Sequence, residues 1–331
     1  MEMDNVLNVQ NLHAVFRINK KEYEVLHDIS FSVRRNETVC VVGESGCGKS
    51  VTTLCVMGLL PKNGRITSGS IQLDGSELIG LPASEVRKFR GSKMGMIFQE
   101  PMTALNPLLT VGYQLRENIV LHRGVDRKTA SKMAIEYLNK VGIANPEQRI
   151  KQFPFQLSGG LRQRVLIAMV LSAQPDLLIA DEPTTALDVT IQKQVLQLLN
   201  NLKKEMNAGI MFITHDLGVV AEIADRIVVL YAGRKVEEGT VEQIFTHPYH
   251  PYTIGLINAV PNIEKDEFVI QPIPGMFPNI TEEIPGCRFN PRCPHAQECA
   301  LCTREAPEMI EVEPGHLVAC HLKKQGGTAN V

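Results

Sequence analysis

The sequence predicts an α/β fold built on a mainly parallel sheet. Three observations predict it. A short apolar strand at Val39, Val41 and Val42 runs into a glycine-rich turn, and a helix starts at Lys49-Ser50. Residues 177–180 and 210–214 are continuous apolar runs, as expected of strands buried on both faces. Helical patterns separate these strands, and alternation of the two element types is the mark of a parallel sheet.

Residues 6–75 are β-rich, with strands expected at 6–11, 24–33 and 71–74 and a turn at Asp74-Gly75. Residues 77–100 hold a charged helix-like stretch and then MGMIFQ, an apolar strand ending in Gln99. Residues 101–175 read as helical: Met133, Ile135, Leu138 and Val141 recur near helical spacing, and 161–172 is a second helix. Ile191, Val195, Leu196, Leu198, Leu199 and Leu202 make the apolar face of a helix over 191–206. Residues 226–231 add a further strand. After about Thr240 prolines become frequent, periodicity weakens and cysteines gather. This texture divides the chain into 1–240, with a helical part at about 101–175, and a C-terminal extension, 241–331.

The formal net charge of −2 over 331 residues is too near neutral to suggest a nucleic-acid partner. The N-terminal MEMDNVLNV lacks the apolar core of a signal peptide. No uninterrupted apolar run approaches the roughly 20 residues that span a bilayer. The expectation is a soluble, cytosolic chain that needs other subunits for any work at a membrane.

The turn after the first buried strand has the spacing Gly43, four residues, Gly48-Lys49-Ser50. Its chemistry suits a polyphosphate. Glycines let successive backbone N–H groups point inward, and the following helix adds its positive end. Lys49 supplies a mobile charge for the outer phosphates, and the Ser50 hydroxyl suits Mg²⁺. Leu177 to Glu182 is an apolar strand ending in two carboxylates. A parallel strand delivers its last residues to the ligand edge. There Asp181 suits Mg²⁺, and Glu182 can polarise an attacking water.

Leu157-Ser158-Gly159-Gly160-Leu161-Arg162-Gln163-Arg164 resembles the signature sequence of ABC ATPases. The other motifs of that family follow the expected order over residues 6–240. Gln99 matches the Q-loop, Asp181-Glu182 the Walker B pair, Ala186-Leu187-Asp188 the D-loop, and His215 the switch histidine. Phe16 stands where the family carries an aromatic that stacks on adenine, although Tyr23 is nearby. Leu161 departs from the Gln that many members have. The resemblance implies a P-loop core with a RecA-like parallel sheet, an antiparallel β subdomain and a helical subdomain. It also implies an ATPase that binds ATP through Phe16, Gly43, Glu44, Ser45, Gly46, Cys47, Gly48, Lys49, Ser50, Val51, Gln99 and Asp181. Glu182, His215, Gln99 and Lys49 would be catalytic, and Ser50, Gln99 and Asp181 would hold Mg²⁺. Ser158, Gly159, Gly160 and Asp188 would close on the nucleotide of a partner ATPase in a head-to-tail dimer.

The segment from His247 to Thr253 and that from Gly286 to Pro294 resemble the C-terminal extension of oligopeptide and dipeptide importer ATPases. In that subfamily four cysteines can hold an iron–sulfur cluster. Here Cys287, Cys293 and Cys320 match, and the fourth is Cys299 or Cys302, with Cys302 favoured by its distance to Pro307. Thiolates suit a 4Fe–4S cluster or Zn²⁺, and the spacing alone does not decide. The implied partners are a second ATPase, most simply a related chain with a homodimer as the alternative, two transmembrane permease subunits and an extracytoplasmic substrate-binding protein. The implied place is the cytoplasmic face of the membrane. The alternatives are a nickel or metal-chelate importer of the same subfamily and a soluble ABC ATPase. The absence of a heptad run between Ser50 and Ser158 disfavours the soluble reading.

Overall fold

The computed structural model describes residues 4–100, 104–185, 187–259 and 272–324. The start of the helical stretch at 101–103, Ala186 of the D-loop motif, and 260–271 and 325–331 of the C-terminal segment lie outside the described residues.

Strands β1 (Asn5–Ile18) and β2 (Lys21–Arg34) form an antiparallel hairpin. Its two loop residues, Asn19 and Lys20, both have positive φ (50° and 66°), the turn type whose twist matches the strands. Strand β3 (Thr38–Val42) follows and is buried along its whole length. Helix α1 (Lys49–Met57) starts beside it and ends at Gly58 in the left-handed conformation. Strands β4 (Gly64–Leu73) and β5 (Ser76–Glu77) complete a four-stranded sheet of order β2-β1-β4-β5. These strands run well past the predicted 6–11, 24–33 and 71–74. The added starts of β2 and β4 are polar and largely exposed, so cross-strand pairing carries them on. The added end of β1 does alternate, with Leu12 and Ala14 buried, but the polar break at Gln10-Asn11 and its register shift interrupt the pattern.

Helix α2 (Ala83–Phe89) leads to β6 (Met94–Ile97). Gln99 therefore lies beyond the strand, not at its end. Helices α3 (Val111–Arg123), α4 (Arg127–Lys140) and α5 (Gly159–Ser172) pack together. Each has a side-chain N-cap: Thr110, Asp126 and Ser158. Ser158 is the cap of α5, so Gly159 and Gly160 form its first turn and do not precede it. Val141 is buried but sits after α4.

Strand β7 (Leu177–Asp181), helix α6 (Val189–Met206), strand β8 (Gly209–Ile213), helix α7 (Leu217–Ile223) and strand β9 (Arg226–Tyr231) complete the α/β part. Strand β10 (Arg234–Thr240) turns back antiparallel on β9. Helices α8 (Val241–Thr246) and α9 (Pro251–Asn258) follow, then strands β11 (Ile310–Glu313) and β12 (His316–Val318), and a short helical turn, His321–Lys324, ends the described chain. The order of the main sheet is β11-β12-β10-β9-β3-β8-β7-β6. It is parallel from β9 to β6 and antiparallel at the other edge.

Alternation decides what each face of the parallel strands covers. Cys40, Val42, Leu178, Ala180, Ile210 and Phe212 pack with the helices. Val39, Val41, Leu177, Ile179, Met211 and Ile213 pack with the four-stranded sheet and α1. The chain after Thr240 joins the same sheet through β12, whose Val318 and Leu317 pair with Glu237 and Glu238. Glu237 is fully buried, and its carboxylate accepts from Tyr249 N (2.7 Å), His250 N (2.9 Å) and His316 Nε2 (2.8 Å). Among the described residues no helix is long and apolar enough to cross a membrane.

Candidate nucleotide site

Residues 43–48 wrap the N-terminus of α1. Gly43 has φ +147°, and a Cβ on it would stand 2.3 Å from the Leu230 carbonyl oxygen. Gly48 has φ +110°, and a Cβ there would meet Leu26 Cδ2 at 2.8 Å. Both positions need glycine, because a Cβ at either would collide with the packing around the loop. The Lys49 side chain is buried and turned back on the loop, with Nζ donating to the carbonyls of Gly43 (2.7 Å) and Glu44 (3.0 Å). Cys47 Sγ lies 3.7 Å from that amine, and burial pushes its thiol up.

A cavity of about 560 Å³ opens over this loop and gathers Ser45, Lys49, Ser50, Gln99, Glu182, Thr185 and His215. Glu182 is its centre. Its carboxylate accepts from Gln99 Nε2 (2.8 Å) and Thr185 Oγ1 (3.0 Å) and meets His215 Nδ1 at 2.9 Å. Burial acts to raise the Glu182 pKa, but the bonds from His215 and Thr185 outweigh it and hold the carboxyl below its ordinary value. Its backbone is left-handed, at φ +46°, which is strained for a residue with a Cβ. Asp181, one residue back at the end of β7, is pushed the other way, first by burial and then by the Glu182 charge. A half-buried carboxyl disfavoured by its neighbour's charge is a place where a divalent cation is welcome, so the residues present fit Mg²⁺.

A second cavity, of about 260 Å³, shares Gly46, Gly48 and Val51 with the first and has Phe16 on its wall. Tyr23 lies under Lys21 Nζ and does not line it. Ser158, Gly159, Gly160 and Asp188 line neither cavity. Ser158 caps α5, and Asp188 caps α6 through the N–H of Ile191 (2.9 Å).

None of the eight cysteines is disulfide-bonded. In the C-terminal segment Cys287 N donates to Cys302 O (2.9 Å), and Cys302 N donates to Cys299 O (3.0 Å). Burial pushes the Cys287 thiol up to about 11. Burial and then Cys299 push Cys302 up to about 12. Cys320 acts electrostatically on Cys287, Cys293 and Cys302. Among the described residues, however, no three His, Cys, Asp or Glu side chains stand close enough to hold an ion. The donors suit a metal in kind, but as placed they do not form a closed cage.

The ABC transporter family matches residues 26–185, and the family described as oligopeptide/dipeptide transporter, C-terminal region, matches 236–299. The oligopeptide transport ATP-binding protein OppD of Escherichia coli is 47% identical over 319 residues, 96% of this chain and 94% of the relative. The chain belongs to the ATP-binding subunits of the oligopeptide/dipeptide ABC importers. The dipeptide transport ATP-binding protein DppD of Bacillus subtilis is 46% identical, over 98% of this chain and 96% of the relative. Among solved structures, a dimeric post-hydrolysis state of the ATP-binding cassette MJ0796 bound to ADP and Pi is similar at TM-score 0.64 and 28% identity. It covers 71% of this chain and 98% of that one.

For an ABC ATPase of this family, the geometry adds residues that the motifs did not single out. Thr185 bonds the Glu182 carboxylate. Arg292, from the cysteine-rich segment, makes a two-pronged pair with Glu44 of the glycine-rich loop (2.7 and 3.1 Å). The Glu44 N–H donates to Tyr252 Oη at 2.8 Å. Thr185 follows Glu182 in a Pro-Thr-Thr turn, and its place three residues on was the available signal. Arg292 and Tyr252 had none, because each lies more than 200 residues from its partner.

Proposed function

We propose that this chain hydrolyses ATP to ADP and phosphate as one of a pair of ATPases, and that the cycle drives import of dipeptides or oligopeptides. The observation that carries the reading is the Glu182 carboxylate, held by His215, Thr185 and Gln99 over a cavity whose other wall is Lys49 and Ser50. Lys49, parked on two loop carbonyls, exchanges them for the outer phosphates of ATP. The glycine-rich loop supplies N–H donors and the positive end of α1. Glu182 orients a water and takes its proton as the water oxygen attacks the γ-phosphorus and the bond to the β-phosphate oxygen breaks. His215 keeps Glu182 and the water aligned, and Gln99 reports the state of the site. Ser50, Asp181 and Gln99 would hold Mg²⁺, which would supply neutralisation of charge on the phosphates. Phe16 stacks on the base.

Ser158, Gly159, Gly160 and Asp188 lie away from this chain's own cavity, as the head-to-tail dimer requires: they serve the partner's nucleotide. The partner is a related second ATPase, with a homodimer as the alternative. Two permease subunits dock on the helices α3 to α5 at the cytoplasmic face, and a binding protein outside delivers the peptide. The division near 240 separates the hydrolysing unit from the extension that carries five of the eight cysteines. Cys287, Cys293, Cys302 (or Cys299) and Cys320 would be the ligands of a 4Fe–4S cluster or Zn²⁺, and to hold one their side chains would have to stand closer together than they do here. Iron, sulfide and zinc analysis of anaerobically purified protein tests that assignment, and none of the three above trace level removes it.

The transport reading is tested by uptake of labelled dipeptides, longer oligopeptides and nickel in cells carrying wild-type protein or Glu182→Gln. Peptide uptake lost alone supports it. Nickel uptake lost alone moves the chain to the metal branch, and no change in any of the three overturns the importer.

A further inference from the structure

We propose that the C-terminal extension builds part of the nucleotide site itself: Phe277 is a wall of the nucleobase pocket and determines how tightly a base, as distinct from a polyphosphate, is held. This rests on the reading of residues 43–50 as the phosphate site.

The two cavities meet at Gly46, Gly48 and Val51 and differ in character. The first is lined by Lys49, Ser50, Glu182 and His215 and suits an anion. The second is lined by apolar side chains of the core, Phe16 and Val51 among them, and by Phe277, Pro278 and Ile280 of the extension, with Glu24 and Arg288 as its charged groups. A ligand with a charged tail and a flat, weakly polar head fits across the junction, which is the shape of a nucleoside triphosphate. Its head enters a pocket whose aromatic surfaces come from opposite ends of the chain, one from β1 and one from the extension.

Phe277 is firmly placed. Its ring packs on the backbone of Gly46, where a Cβ would touch Cε1 at 3.6 Å. It stands edge-on to Tyr231, ring centroids 5.2 Å apart, and Tyr231 is fully buried among Tyr252 and Phe289. The strand of chain that carries it is pinned by Arg292, whose Nε donates to Pro274 O at 2.8 Å while its other nitrogens hold Glu44. One guanidinium thus ties the phosphate loop and the aromatic wall into one rigid unit. A preformed aromatic surface needs little ordering on binding, and stacking of one base on one ring is worth about tenfold or more in affinity.

The test is calorimetric titration of the full-length protein with ATP and with inorganic tripolyphosphate, which has the charge but no base. Phe277→Ala is expected to weaken ATP about tenfold and to leave tripolyphosphate within about twofold. An unchanged ATP affinity, or an equal loss for both ligands, overturns the proposal. Lys49→Ala is the control for the underlying reading and should lose both ligands; if it binds both as wild type does, the phosphate site itself is misassigned. Should Phe277→Ala fail to fold, Phe277→Trp keeps the ring and, because the chain has no tryptophan, reports alone. Its emission should change with ATP and not with tripolyphosphate. No change at saturating ATP overturns the assignment.

Discussion

Residues 43–50 and the segment 272–302 meet at the ion pair of Glu44 with Arg292 and at the Phe277 ring over Gly46, and they are built in opposite ways. The first is held by its own backbone: glycines at positive φ, a helix start, and a lysine that bonds carbonyls five and six residues back. The second has no long element. Short 3₁₀ turns follow one another, and its order comes from what it leans on: Tyr231 against Phe277, Glu44 paired with the buried Arg292, and Ala232 O, which accepts from Arg288. A loop specified locally keeps its shape wherever its strand and helix go. A segment specified by distant contacts has a shape only in this fold, and it returns the support by bracing the loop.

That contrast can be broken or sharpened by experiment. The largest effect is expected in the cavity beside the loop, away from the extension. Glu182→Gln should bind ATP and cut steady-state turnover on the order of 10² to 10⁴-fold, the usual range for a lost general base. Normal hydrolysis by that variant would remove Glu182 from the chemistry.

The next effect is at the junction, and it is asymmetric. Arg292 is almost fully buried, its side chain 4% exposed, while Glu44 is 30% exposed. Glu44→Ala strands a buried cation and should cost about 3 kcal/mol in urea denaturation. Arg292→Met leaves a carboxylate that water can reach and should cost less, about 1 kcal/mol. Equal costs would mean that the extension does not depend on the loop in the way the burial indicates.

A third test compares one buried histidine from each side. His27 in β2 is pushed down to about 4, first by burial and then by the nearby Arg288 charge. His250, in the extension, is pushed down to about 4 by burial, against the pull of Glu237. Both stay neutral in the folded chain below the 6.5 at which they titrate when unfolded. The unfolded chain therefore binds more protons between pH 6.5 and 4, and stability must fall as pH drops through that window. Each group accounts for on the order of 3 kcal/mol by pH 4. His27→Gln and His250→Asn should each flatten the pH dependence of the urea midpoint in that window. An unchanged slope in either variant would show that the histidine is already charged when folded.

The smallest effect tests the boundary. Thr240 caps α8 through the N–H of Gln243, whose side chain bonds back to the Thr240 N–H. Thr240→Ala should cost about 1 kcal/mol without changing ATP turnover. A loss of turnover would show that the start of the extension is coupled to the site more tightly than one cap allows.

The legible parts of this chain share a cause. Gly43, Gly48, Lys49 and Ser50 are readable because the backbone conformation they require is local, and Asp181 and Glu182 because a buried strand must end at the ligand edge. The apolar runs at β3, β7 and β8 were readable because strands covered on both faces leave no polar positions. The start of β2 was not readable, since pairing rather than pattern extends it, and the end of β1 was missed because the break at Gln10-Asn11 interrupts its alternation. Gln99 falls past its strand because β6 stops pairing with β7 at Ile97.

By itself, then, the sequence determined the strand–loop–helix that receives phosphate, the carboxylate pair beside it, and the alternation that sends each face of the sheet to its own core. All of these follow from conformational preferences and periodicities within a few residues. Only the tertiary structure decided that Thr185, His215 and Gln99 converge on one carboxylate, that β12 extends the sheet begun by β3, and that Arg292 and Phe277 reach the glycine-rich loop. Those contacts join residues up to 248 positions apart, and no local propensity encodes them; packing of the whole chain brings them together.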